Sequence, residues 1–352
     1  MRNTFTGGAG RAIATPSAIL PNVRRRVARR AHRDCRVKHP RGVSSLKIET
    51  QVTALPKPPK PLQPLQPLKP LKPLKQAAAP LLDIRPGQSI ELLKALHILT
   101  ADGKMNQDSR RKLKQVYHLT QFIEPLITQV VAERGRVNLV DHGAGKSYLG
   151  FILHDLLLKS MQQPHHVYGI ETRAPLVESS RALAAKLGFN DMSFLNLAVA
   201  DAISAPELSA PIDVVTALHA CDTATDDAIR FALEKQVKFI VLVPCCQAEV
   251  AAFLRNDKGD STVKGSIAEL WRHPIHTREF GAQITNVLRG LQLEAHGYQV
   301  TVTELVGWEH SMKNELIIAQ FKNLPRAQPK QRLLDAIETF GLTALGERFS
   351  AA

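Results

Sequence analysis

The 352 residues carry a formal net charge of +14, with 44% hydrophobic and 5% aromatic residues. That length suits one sizeable α/β domain with extensions, and four cysteines are too few for a disulfide framework, so a reducing, cytoplasmic setting is expected. No apolar stretch reaches the ~18 residues of a membrane span, which excludes a helical membrane protein.

Residues 1–79 hold 17 of the 46 Lys and Arg but 2 of the 32 acids, leaving 29 basic against 30 acidic residues beyond. The excess positive charge therefore belongs to the N-terminal segment. Such a segment binds nucleic acid or anionic surfaces non-specifically, or stays a solvated tail. Its Arg-rich, acid-poor composition is also that of a transit peptide, without the apolar core of a secretory signal. Residues 61–75 read PLQ PLQ PLK PLK PLK. Proline at every third position favours a polyproline II spacer. A disordered tail is expected over 1–82 and a helical segment over 83–135. There, Ser89 caps one helix, and Asp108 or Ser109 caps another that Pro125 kinks or ends and Gly135 stops.

From 137 onward, short apolar runs alternate with helical ones. Strands are expected at 137–140, 166–170, 193–199, 212–218, 238–243, 299–306 and 315–321. Helices are expected at 147–159, 175–187, 224–234, 246–255 and 279–296. Alternating units predict an α/β fold: a Rossmann-like seven-stranded sheet over 136–323 with helices on both faces. The last two strands are separated by too few residues for a helical crossover, so they form an antiparallel hairpin. A helical extension follows over 324–352.

Ligands of a doubly wound sheet sit outside the carboxyl ends of its strands. Those ends carry Asp141-His142-Gly143-Ala144-Gly145, then Glu171, Asp201, His219-Ala220-Cys221-Asp222 and Pro244-Cys245-Cys246. Three ligands compete for the glycine turn. A P-loop needs a glycine five residues before Gly145, where Val140 stands, and the dinucleotide fingerprint needs a glycine at Tyr148. S-adenosylmethionine fits. Its carboxylate meets the turn built on Asp141, Gly143 and Gly145, Glu171 accepts hydrogen bonds from its ribose, and Asp201 lies near its adenine.

Residues 137–320 resemble class I S-adenosylmethionine-dependent methyltransferases. More narrowly, LHACDTATDD (218–227) and VPCC (243–246) resemble a methyltransferase-like subgroup that shares an H-x-C-x-x-A-T-D signature with tRNA acceptor-stem 2′-O-methyltransferases. Ser147 stands where the family's first motif has its third glycine, a change that a helix start tolerates. Asp222 replaces a common glycine, and Gln247 replaces a histidine. The resemblance implies a methyltransferase with S-adenosylmethionine as cofactor and RNA as acceptor, at a 2′-hydroxyl or a base. A protein side chain is the rival acceptor, because the folded part is not basic. A retired, non-catalytic binding module is the third reading.

The candidate catalytic residues are His219, Cys221 and Asp222, and His219 also borders the cofactor. A neutral imidazole at 219 can take a proton from the acceptor or simply bond backbone in the turn. Cys221, Cys245 and Cys246 are expected as small buried thiols on the pocket floor. Asp226 and Asp227 complement a helix dipole whose cap is Thr223 or Thr225. Neighbouring residues of an extended segment face opposite ways, which argues against a metal site among Cys245, Cys246 and His219.

Overall fold

The computed structural model describes residues 84–218, 220–245, 247–256, 269–270, 272–305 and 314–350. All lie in one unit of the chain, residues 74–352. Helix α1 (Ile90–Ala95) opens at Ser89, whose Oγ accepts from the Leu92 N–H at 3.1 Å. Asn106, not Asp108 or Ser109, caps α2 (Gln107–Arg134), accepting from the Ser109 N–H at 2.7 Å. Pro125 does not end α2, which runs on through it to Arg134. Gly135, at φ 67°, closes the helix in the left-handed conformation.

Seven strands follow: β1 (Val137–His142), β2 (His165–Ile170), β3 (Met192–Leu195), β4 (Val214–Leu218), β5 (Phe239–Val243), β6 (Tyr298–Glu304) and β7 (Glu315–Phe321). They form one sheet in the order β3-β2-β1-β4-β5-β7-β6. The pairs β2–β3, β1–β2, β1–β4 and β4–β5 are parallel, and β7 runs antiparallel to both β5 and β6. This is the Rossmann-like methyltransferase sheet. Residues 306–313, between β6 and β7, lie outside the described residues.

Between the strands run α3 (Tyr148–Leu153), α4 (Ala174–Leu187), α5 (Val199–Ser204), α6 (Thr223–Glu234), α7 (Glu249–Asn256) and α8 (Pro274–Ala295), with α9 (Ala327–Thr339) after the sheet. Alternate strand residues feed opposite faces. Leu139, Val214, Phe239 and Val241 pack with α1–α4, whereas Val140, Val215, Ile240 and Leu242 pack with α5 and α6. Burial on both faces is why β5 reads as the unbroken run FIVLV. A smaller cluster joins Val250 of α7, Ile284 and Leu288 of α8, and Leu333 and Ile337 of α9.

Three elements depart from expectation. β3 ends at Leu195 rather than 199, because Val199 and Ala202 turn inward as one face of α5. The helix after β1 changes at His154 into a π-helical turn, His154–Leu158. α8 begins at Pro274, five residues early, with proline in its first turn.

At Gly281 of α8, an added Cβ would lie 2.7–2.8 Å from Cβ, Cα and N of Ala251. The two helix backbones touch there. Gly281→Ala is therefore expected to lower stability by about 1–3 kcal/mol, read by urea denaturation. An unchanged midpoint would mean that α7 moves aside freely.

Candidate cofactor site

The turn after β1 is held by left-handed backbone. Gly143 and Gly145 have φ of 65° and 59°. A Cβ at Gly143 would lie 3.2 Å from the Cβ of Ala220, so the turn presses against the segment leaving β4. Ser147 is buried and also left-handed, at φ 52°, so it keeps the conformation of the glycine it replaces. The helix start does not merely tolerate it. Gly150 and Gly169 make its room: a Cβ on either would sit 2.7 or 3.4 Å from the Ser147 Oγ.

Asp141 is buried beneath this turn. It accepts from the Thr216 hydroxyl at 3.1 Å and from the Ser147 hydroxyl at 3.5 Å. Burial pushes its carboxyl up to about 7 despite these bonds and one from the Gly150 N–H. The ordinary value is near ~4. Between about 4 and 7 the folded state keeps a proton that the unfolded chain has released. The contribution of Asp141 to stability is thus full below the unfolded value and lost as pH rises towards 7. Burial also pushes neighbouring His142 down to about 4, which has the opposite pH slope. Subtracting Asp141→Asn from wild type isolates the aspartate. The wild-type advantage is expected to shrink from pH 4 to pH 7 in urea denaturation. A difference that stays flat with pH would contradict an elevated Asp141.

Glu171 follows β2 and is buried. Its Oε2 accepts from the Gly145 N–H at 2.9 Å, which joins the acid to the glycine turn. Asn196 donates to the Glu171 carbonyl at 2.9 Å, tying in the end of β3. Arg173 occupies the rest of the carboxylate. Its Nε and backbone N–H meet Oε1, and its Nη2 meets Oε2, each at 3.0 Å. Burial alone would raise the Glu171 carboxyl, but the bonds from Arg173 and Gly145 outweigh it and hold the group at about 2. The guanidinium overlies the turn: a Cβ at Gly145 would lie 3.7 Å from its Nη2. The Arg173 side chain is exposed, so it can withdraw into solvent. Asp201 sits exposed in the first turn of α5, and its carboxylate makes no hydrogen bond or ion pair among the described residues.

His219 and Cys246 lie outside the described residues. Cys221 is exposed rather than buried as expected. Its Sγ lies 3.4 Å from the Sγ of half-buried Cys245, so the two thiols join the ends of β4 and β5. Asp222, at φ 53°, accepts from the N–H groups of Ala248 and Glu249 at 2.9 and 3.2 Å. Its carboxylate thereby holds the start of α7. Neither Thr223 nor Thr225 caps α6. The Thr225 hydroxyl instead donates to the Ala220 carbonyl at 2.6 Å.

Arg289 of α8, fully buried, anchors this corner. Its Nε and Nη2 meet the two carboxylate oxygens of buried Asp226 at 2.7 and 2.9 Å, and Nη2 also donates to the Asp222 carbonyl. Its Nη1 reaches Asn286, which accepts from Gln247 and donates to Glu315 of β7. Asp226 lies in the first turn of α6, as expected of a dipole complement, and is also the ion-pair partner of Arg289. The available signal was an arginine on the inward face of α8, beside Leu288 and Leu293.

The residues present fit S-adenosylmethionine: a turn with close backbone approach lies beside a buried carboxylate, the type of group that accepts from ribose hydroxyls. Fold and site define the class, a Rossmann-like α/β domain of the methyltransferase type whose glycine turn and buried acid suit S-adenosylmethionine. The family whose model matches is described as "Methyltransferase domain", over residues 111–253, from α2 into α7. No curated protein matches the chain. Among solved structures the chain is similar to M. capricolum TrmK in complex with S-adenosyl-homocysteine, at 10% identity and TM-score 0.33, over 56% of this chain and 68% of that one. It is similar to magnesium protoporphyrin IX methyltransferase from Synechocystis with bound S-adenosyl-homocysteine, at 15% identity and TM-score 0.36, over 66% and 95%. It is also similar to Aeropyrum pernix fibrillarin with bound S-adenosyl-L-methionine, at 11% identity and TM-score 0.32, over 52% and 65%. Among the described residues no helix is long and apolar enough to cross a membrane.

Proposed function

We propose that this chain transfers the methyl group of S-adenosylmethionine to RNA, at a 2′-hydroxyl or a base. The observation that carries the cofactor half is the Gly145 N–H on the Glu171 carboxylate, which couples the turn to the acid. The acceptor half rests on the H-A-C-D-T-A-T-D motif and the basic residues 1–79. When bound, the cofactor supplies an electrophilic methyl group.

The chain's residues position and deprotonate. Glu171 receives the ribose hydroxyls once Arg173 gives up an oxygen. The backbone of Gly143–Gly145 receives the carboxylate, and Asp201 serves the adenine end. His219 takes the acceptor's proton as the methyl transfers, because a neutral imidazole is a base of suitable strength near pH 7. Cys221 lines the acceptor side, and Asp222 holds the turn that presents both. Much of the rate comes from in-line placement of the acceptor.

The test is transfer of labelled methyl into lysate fractions digested separately with ribonuclease and with protease. Label lost to ribonuclease alone is the expected result. Label lost to protease alone transfers the assignment to a protein side chain, which the near-neutral balance of residues 80–352 favours. No calorimetric binding at millimolar cofactor would leave only the non-catalytic module.

A further inference from the structure

A second cluster lies at the opposite end of the sheet, at the amino ends of β2 and β3. His154 heads the π-helical turn after α3, is 3% exposed, and neither ring nitrogen has a hydrogen-bond partner. Its ring packs on Phe189, with centroids 4.5 Å apart. His165 opens β2. Its Nδ1 lies 3.0 Å from the Gln163 carbonyl, which can only accept, so Nδ1 carries the proton. The ring's other nitrogen, the buried Nε2, faces the Asp191 carboxylate at 3.6 Å. Ligand atoms of His154, His165 and Asp191 all lie within 4.8 Å of one another.

We propose that His154, His165 and Asp191 form a binding site for a divalent transition metal, zinc or a similar borderline ion. Buried imidazole nitrogens without partners that converge on a carboxylate can hold a cation between them. Burying unpartnered imidazole nitrogens is unfavourable, and a metal removes that cost. Two imidazole nitrogens and one carboxylate oxygen suit zinc. The Nδ1–H bond to a backbone carbonyl is the support that fixes a ligating histidine's tautomer.

Bonds of about 2.0–2.2 Å would bring the ligand atoms to about 3.3–3.5 Å from one another. Asp191 has the freedom for that contraction, because its side chain is 56% exposed, and the same opening admits the ion. π-Helical turns recur at functional positions, and this one places His154 over the strand starts. The bound ion would clasp the helix leaving the cofactor turn to the β2–β3 edge. This is a structural role that is independent of methyl transfer.

The test titrates the full reduced chain with cobalt(II), then with competing zinc. One equivalent of cobalt should give visible ligand-field absorption without thiolate charge transfer, zinc should abolish it, and either metal should raise Tm. Asp191→Ala and His165→Asn, which leave buried His154 in place, should lose both responses while retaining the metal-free Tm of wild type. Three outcomes would overturn the site: absence of stoichiometric absorption, absorption that survives in both variants, or a charge-transfer band that disappears in Cys221→Ser/Cys245→Ser. The first leaves His165 and Asp191 sharing a proton, and the last places the metal at the strand-end thiols.

Discussion

Arg289→Met is expected to cost about 3–5 kcal/mol of unfolding free energy, because it strands the buried Asp226 carboxylate without its partner. The loss reaches further than one pair. Arg289 also holds the Asp222 carbonyl, and the Asp222 carboxylate holds the first N–H groups of α7. Removing the guanidinium therefore loosens the turn between β4 and α6. Urea denaturation of the single variants and of Asp226→Leu/Arg289→Met gives the double-mutant cycle. The double variant should recover most of the loss, since an apolar pair leaves no uncompensated charge. A single-variant loss under about 1 kcal/mol would show that the pair is dispensable.

Glu171→Gln is expected to weaken S-adenosylmethionine binding by about 10–100-fold, read by calorimetry. Hydrogen bonds to a charged group contribute about 1.5–3 kcal/mol, and the amide lacks that charge. The amide also weakens the Gly145 N–H bond that shapes the turn. Arg173→Ala should act in the opposite direction. With the guanidinium gone, the carboxylate meets the ribose without first breaking the two side-chain bonds. The backbone bond from residue 173 survives, so the affinity gain is modest. Weaker binding in Arg173→Ala would mean that the guanidinium contacts the cofactor itself.

The sheet was legible in sequence because its centre is buried on both faces, and Phe239–Val243 is apolar throughout. The hairpin was legible from the short connection alone. α5 was hidden because Phe194, Leu195 and Leu197 continue an apolar run into Val199, and only two inward residues mark the helix. Pro125 does not stop α2 because buried Leu119, Ile123, Ile127 and Val130 hold the helix to the core on both sides of it, which is a tertiary fact. At the site, Glu171 could be placed by its position after β2, since strand ends converge. Its clamp by Arg173 could not, because that depends on the backbone path of a loop. The Arg289–Asp226 pair spans 63 residues, a separation at which a periodic pattern says that a residue faces inward but not what it meets. His154, His165 and Asp191 were likewise unremarkable singly, and only the fold brings them together.

The sheet order has a consequence for fragments and for synthesis. The strand made last, β7, is inserted between β5 and β6. Until residue 315 is reached, the outer edge of β5 keeps a row of unsatisfied N–H and C=O groups alongside an apolar Phe239–Val243. Such an edge templates pairing with other chains. A chain cut between β6 and β7 retains the whole glycine turn and Glu171, yet it is expected to precipitate rather than bind cofactor. For expression work, the useful truncation point therefore lies beyond Phe321.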